Sequence, residues 1–172
     1  MKNSIKIAAA IAFFGFAGSA MAQNTSSTTG DAQVLLASPI HLTQFQNLDF
    51  GTAVQGNGTV TLASSSATSA TYTGNVAPGS FGLAMHAAEF IVTGQNWWTY
   101  HVTTPATVTV SDGTNSAVVT LGTPVDINAA GFSLNGTGNG GFWLGGTLTL
   151  DGSQQASSTQ YTGTYTETVN YN

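Results

Sequence analysis

Beyond its first twenty-two residues the chain carries its apolar side chains in short runs of period two, with almost no trace of the 3.6-residue period of a helix. Asp31 to Leu36 (DAQVLL) places Ala32, Val34 and Leu36 on one face; Pro39 interrupts, and Ile40, Leu42, Leu48, Phe50 and Val54 resume the pattern. Thr59 to Leu62 is a short strand behind the turn-forming Gly56-Asn57-Gly58, and the Ser/Thr/Gly-rich residues 64–80 hold a strand within Ala70 to Val76. Glu89 to Thr93 stops at Gly94, and Trp98 to Thr104 ends at Pro105. Thr107 to Val110 and Ala117 to Leu121 flank Asp112-Gly113, a strong hairpin signal. Val125 to Leu134 alternates loosely, Asn135 to Gly141 (NGTGNGG) reads as an exposed turn, and Phe142 to Leu150 (FWLGGTLTL) as a strand. At the end of the chain Tyr161, Gly163, Tyr165, Glu167, Val169 and Tyr171 share one face. The best helix candidate, Ala84 to Phe90, is short. Eight to ten short, unequal strands predict an all-β protein, an Ig-like antiparallel β-sandwich forming a single domain over residues 31–172. A closed barrel is the alternative. No long repeat period points to a solenoid.

The first residues obey different rules. Lys2 and Lys6 precede the apolar run Ile7 to Phe16, and Ala20-Met21-Ala22 follows. These are the parts of a secretory signal peptide over residues 1–22, with a run shorter than the ~20 apolar residues of a membrane span. Residues 23–30 (QNTSSTTG) read as a flexible polar tail. The expected location is therefore the periplasm, the cell surface or the extracellular space. Both lysines lie in the leader, so residues 23–172 hold seven acids, no Lys and no Arg, a formal charge of −7. Nucleic-acid binding relies on cations that neutralise phosphates, and anionic lipid surfaces repel such a chain; neither is an expected partner, and no second apolar run inserts the exported part in a membrane. The absence of cysteine excludes disulfides, a thiolate nucleophile and a lipid-modified cysteine. A hydrophobic fraction of 41% with 10% aromatics is nonetheless enough for a core.

Little in the chain suggests catalysis. His41, His86 and His101 are far apart, with Glu89 the one nearby acid, so no metal is expected. Asp112 and Asp151 sit in Asp-Gly turns, where the carboxylate serves the turn itself. The clusters Gly56 to Gly58 and Gly136 to Gly141 precede no helix and are turns, not phosphate cradles. No catalytic residue and no cofactor is expected. Trp97 and Trp98 allow two readings: a platform on which a sugar ring stacks, or Trp98 and Tyr100 filling the core while Trp97 caps an edge.

Several segments taken together carry a family resemblance: Leu48-Asp49-Phe50-Gly51, Gly58 to Leu62, Ala87 to Gly94, Tyr100 to Pro105, Gly145 to Leu150, and the terminal Y-x-G-x-Y-x-x-x-V-x-Y of Tyr161 to Tyr171. The chain resembles a family of small secreted bacterial β-sandwich proteins catalogued as a domain of unknown function, and is more distantly similar to spore coat protein U and the archaic chaperone–usher pilins. The pilin resemblance implies an incomplete sandwich completed by a neighbour's N-terminal extension. The implied partners are copies of the chain or related subunits, a periplasmic chaperone and an outer-membrane usher. On this reading Ala32, Val34 and Leu36 form the donor strand, and Tyr161, Gly163, Tyr165, Val169 and Tyr171 mark the acceptor edge. Four or five apolar side chains buried at ~1.5–3 kcal/mol each give a gross gain on the order of 6–15 kcal/mol. Two departures stand beside the resemblance. Pilins of the spore-coat type usually carry cysteines, and Pro39 cuts the N-terminal apolar stretch short, so that Ala32 to Leu36 as the protein's own first strand remains an alternative. A monomeric secreted or periplasmic sandwich acting as a carbohydrate- or surface-binding adhesin module is the alternative function.

Overall fold

The structure is a computed structural model that describes residues 25–80 and 84–172. The expected signal peptide and the first two residues of the expected polar tail lie outside the described residues. The chain divides into two units, Met1–Leu35 and Leu36–Asn172. In the first, residues 25–35 carry no regular secondary structure. The second holds β1 (His41–Gln46), β2 (Ala53–Val54), β3 (Asn57–Leu62), β4 (Ala70–Gly74), β5 (Ala77–Pro78), β6 (Ala88–Thr93), β7 (Tyr100–Thr103), β8 (Thr107–Ser111), β9 (Ser116–Leu121), β10 (Val125–Asp126), β11 (Asn139–Leu144), β12 (Gly146–Asp151) and β13 (Thr168–Tyr171). There is no helix among the described residues.

Two antiparallel sheets dominate, in the orders β1-β6-β11-β10 and β4-β3-β12-β9-β8. The pairs β13-β7 and β2-β5 complete the ladders. Period two explains how the sheets meet. Ala88, Phe90 and Val92 of β6 point inward between half-buried neighbours, as do Ala117, Val119 and Leu121 of β9 between exposed ones. Phe142 and Leu144 of β11, fully buried, join all of these but Ala117 in one core with Tyr100 and Leu134. Phe142 stacks on Phe90 with ring centroids 5.0 Å apart. Both sheets thus contribute to a shared interior, an arrangement consistent with a β-sandwich. The threonines take the other face: the hydroxyls of Thr59 and Thr73 meet at 2.7 Å and those of Thr61 and Thr147 at 3.0 Å, cross-strand pairs that replace charge on a sheet almost without it.

The structure departs from the sequence reading in five places, the first being that Asn139 to Gly141, expected in an exposed turn, begin strand β11, with Gly141 buried. Asp31 to Leu36 forms no strand, since three consecutive apolar residues have no single face to bury and find no partner in the ladders. The helix candidate Ala84 to Phe90 runs instead into strand β6, whose alternation continues past it to Thr93. Phe142 to Leu150 is two strands in two different sheets, with Gly145 between them. Tyr161 to Tyr171 is a strand only over Thr168–Tyr171. The Asp112-Gly113 hairpin forms as expected, with β8 and β9 paired from Thr107↔Thr120 to Ser111↔Ser116.

Candidate functional site

The C-terminal segment runs antiparallel to β7 and β8 but is stitched to them only at its ends. β13 pairs with β7 from Thr168↔Thr103 to Tyr171↔Tyr100, and Thr162 forms a lone bridge to Ser111. Between these, Gly163 to Glu167 belong to no ladder and make no backbone–backbone hydrogen bond among the described residues. Gly163 is needed where it stands, because a Cβ there would meet the Thr109 carbonyl. Tyr165 turns inward and meets Phe90 edge-on at 6.4 Å. Glu167 also turns inward; its Oε2 accepts a 2.7 Å hydrogen bond from Thr104 Oγ1. The Tyr165 hydroxyl and Glu167 Oε1 are buried with no partner among the described residues.

Beside this segment lies a groove of about 800 Å³ between the two sheets, rimmed by residues 154–164. Its apolar lining includes Leu48, Phe50, Phe90, Val110 and Leu148, so the groove opens directly on core side chains. Of the acceptor residues expected from sequence, Tyr161, Gly163 and Tyr165 line it. Val169 and Tyr171 lie in β13, where Tyr171 packs edge-on against Trp98 at 5.1 Å. The Tyr171 hydroxyl accepts from Gln95 N at 2.6 Å and donates to Ser38 O at 2.8 Å, while Ser38 N donates to Gln95 Oε1 at 3.1 Å. These bonds fix the chain at Ser38, just after the expected donor residues. Ala32 is exposed, and Val34, Leu35 and Leu36 are 82%, 81% and 84% exposed.

The two tryptophans separate. Trp98 packs edge-on against Tyr171 but is 36% exposed and lies outside the core, so of the two residues expected to fill it only Tyr100 does, whereas Trp97 adopts φ 65° and is 74% exposed. Trp97 lines a cavity of about 240 Å³ with Asn128, Ala130, Ser133, Leu134 and Asn135. Two carboxamide and carboxylate groups hold its walls. Asp126 accepts from Asn128 N at 3.2 Å, Ala130 N at 2.6 Å and Phe132 N at 3.3 Å, and Asn135 Oδ1 accepts from Thr137 N, Thr137 Oγ1 and Asn139 N at 2.8–3.0 Å. The carboxylates expected in turns are there: Asp112 Oδ1 accepts from Thr114 N and Asn115 N, and Asp151 Oδ1 from Ser153 N and Oγ. These hydrogen bonds lower the pKa of both acids, at Asp112 through the backbone and at Asp151 first through the Ser153 side chain.

Residues 40–171 match the family described as Domain of unknown function (DUF4402). The chain belongs to this family. No curated protein and no solved structure matches it. The DUF4402 match takes in every residue of the groove and of the Trp97 cavity, but begins after Leu36 and so leaves the expected donor residues outside it.

Glu167 is the titrating group of the C-terminal segment that the sequence reading did not single out, because a lone Glu on an alternating Thr-rich run reads as an edge residue. Burial raises its pKa above the usual carboxylate range, partly offset by the Thr104 hydroxyl. Burial, and then the neighbouring Glu167, also push Tyr165 up to about 12. The folded protein therefore holds the Glu167 proton more tightly than the unfolded chain does. The contribution of this group is fully present at low pH and is lost as pH rises through the usual carboxylate range to the raised value. Glu167→Gln is expected to be the more stable protein at pH 7, by under about 1 kcal/mol because the site is partly open to water. The advantage should vanish below about pH 4. Urea denaturation of both proteins at the two pH values checks this; an advantage independent of pH would refute the assignment.

Proposed function

We propose that this chain is a non-enzymatic structural subunit, exported to the bacterial periplasm and cell surface, whose copies join by β-strand complementation. Its sandwich is Ig-like and pilin-like, left incomplete beside the C-terminal segment. The observation that carries this reading is the unladdered run Gly163–Glu167, whose Gly163, Thr164 and Tyr165 line a groove that opens on core side chains. A row of free N–H and C=O groups beside apolar side chains is a template for an added strand. The occupant is the stretch around Ala32, Val34 and Leu36 of a second copy, whose apolar side chains are exposed in their own chain. An exported subunit with such a groove needs cover before assembly, which is the service a periplasmic chaperone and an outer-membrane usher perform.

Magnitudes indicate how the joint holds. Burying Val34 and Leu36, the larger side chains of the donor face, returns roughly 3–6 kcal/mol gross, and association costs about 4–15 kcal/mol. Apolar burial alone therefore does not make a durable joint. A ladder along Gly163–Glu167, at about 0.5–1.5 kcal/mol net per bond, supplies the remainder.

The exported protein is expected to give ladders on unboiled gels and filaments in electron micrographs. A variant lacking residues 23–36 should remain a monomer, and a synthetic peptide of residues 30–38 should raise its thermal midpoint. If the intact protein runs as a monomer and unfolds at the same temperature as the shortened one, the proposal fails.

A further inference from the structure

Among the described residues Trp97 is one of three non-glycine residues with positive φ, and the other two, Ala129 (53°) and Phe132 (58°), belong to the loop that forms the wall of its cavity. Side chains other than glycine avoid this conformation, and where it persists the surrounding structure must hold it. Here the Asp126 carboxylate holds the loop through three backbone N–H groups. The Trp97 N–H is held in turn by the carbonyls of Leu134 (3.2 Å) and Asn135 (3.3 Å). The result of this local arrangement is an outward-facing indole. An extended Trp97 would alternate with Trp98 as strand neighbours do; the left-handed turn instead sets the ring over Gly136, where a Cβ would come within 2.7 Å of Cζ2.

The chemistry around the ring is uniform. Asn128 has no side-chain hydrogen bond among the described residues, and Asn135, with Oδ1 occupied, keeps both protons of Nδ2 free. Ser133 Oγ donates to Ala130 O at 3.3 Å and keeps its acceptor lone pairs. No Lys or Arg occurs after residue 22, and no charged side chain lines the cavity, the nearby Asp126 being turned to backbone N–H groups, so an uncharged ligand fits it best. A flat apolar face beside neutral donors and acceptors fits a ring that has C–H groups on one side and hydroxyls around its rim. A cavity of about 240 Å³ is smaller than those that enclose drug-sized ligands, and suits one ring. We infer that Trp97, Asn128, Ser133 and Asn135 form a binding site for a single uncharged pyranose unit, stacked on the Trp97 indole.

None of these residues lines the groove beside Gly163–Glu167, so the site stands or falls independently of assembly. The test titrates the purified protein with the methyl glycosides of glucose, galactose, mannose and N-acetylglucosamine, followed by proton–nitrogen correlation spectra. At least one glycoside should shift the Trp97 indole N–H and the Asn128 or Asn135 side-chain amide saturably in the millimolar range, with the indole signals of Trp98 and Trp143 unmoved. Trp97→Gly, which relieves backbone strain and so keeps the fold, should weaken binding at least about tenfold. Gly136→Ala should weaken it while retaining the tryptophan, by displacing the indole. If none of the four glycosides moves Trp97 at up to about 100 mM, or if Trp97→Gly binds as well as the native protein, the inference is wrong.

Discussion

Phe142→Ala is expected to remove about 3–5 kcal/mol of stability, the range for deleting a buried aromatic side chain. Phe142 is 0% exposed and stands at the centre of the shared core. One face stacks on Phe90 with centroids 5.0 Å apart, and Phe132 meets it edge-on at 6.4 Å. Truncation leaves a void that neither neighbour can fill: Phe90 is fixed on β6 by its ladder to β11, and Phe132 by its unusual φ and the Asp126 carboxylate. A domain of this size typically has 5–15 kcal/mol in total, so the variant should sit near the edge of folding, with a thermal midpoint lower by roughly 10–20 °C. Calorimetry or circular dichroism on both proteins measures this directly. Phe142→Leu, which keeps most of the volume, should lose less than half as much. A loss below about 1 kcal/mol for the alanine variant would mean that the two sheets do not share this core.

What the sequence disclosed was mostly what period two can disclose. The inward rows Ala88-Phe90-Val92 and Ala117-Val119-Leu121 are visible as alternation, and Asp112-Gly113 announces its hairpin because an Asp-Gly pair has few other uses between β-rich arms. Alternation cannot say which strand pairs with which, nor where a strand stops being laddered. Tyr161–Tyr171 alternates without a break, and its side chains from Tyr165 onward do alternate between half-buried and exposed, yet the ladder holds only Thr168–Tyr171. The gap over Gly163–Glu167 arises from what lies alongside, not from the segment's own residues. Likewise Trp97 and Trp98 are indistinguishable as letters. Their difference comes from a left-handed backbone at Trp97 that depends on Asp126 and Asn135, which lie well further along the chain. Asn128, Ser133 and Asn135 were therefore illegible as a site, although Asn135 was legible as a turn.

The same limit shows at Gly145, and a second large effect is expected there. The alternating run Phe142 to Leu150 reads as one strand, and the structure divides it between two sheets: Leu144 still pairs with Ala88 in the first, whereas Gly146 already pairs with Leu62 and Leu121 in the second. Gly145 makes the crossing in a buried position, its N–H donating to Ser64 Oγ at 2.9 Å and its carbonyl accepting from Gly122 N at 2.9 Å. A Cβ at this point would lie 2.5 Å from the Ala63 carbonyl carbon and 2.6 Å from Ser64 N, with the Leu62 carbonyl oxygen nearer still. All three are backbone atoms, so no side-chain rotation relieves the overlap; β3 must separate from β12 or the crossing must unwind. Gly145→Ala should therefore cost more than ordinary overpacking, about 3 kcal/mol or more. Gly113→Ala is the informative contrast. Gly113 has φ 95° but nothing within 4 Å of its notional Cβ, so its substitution carries backbone strain alone, about 1–2 kcal/mol. Urea midpoints of the two variants separate steric overlap from conformational strain. Equal losses would show that the chain has room at Gly145, and that its residues pass between the sheets by some looser path than a crossing pressed against Leu62–Ser64.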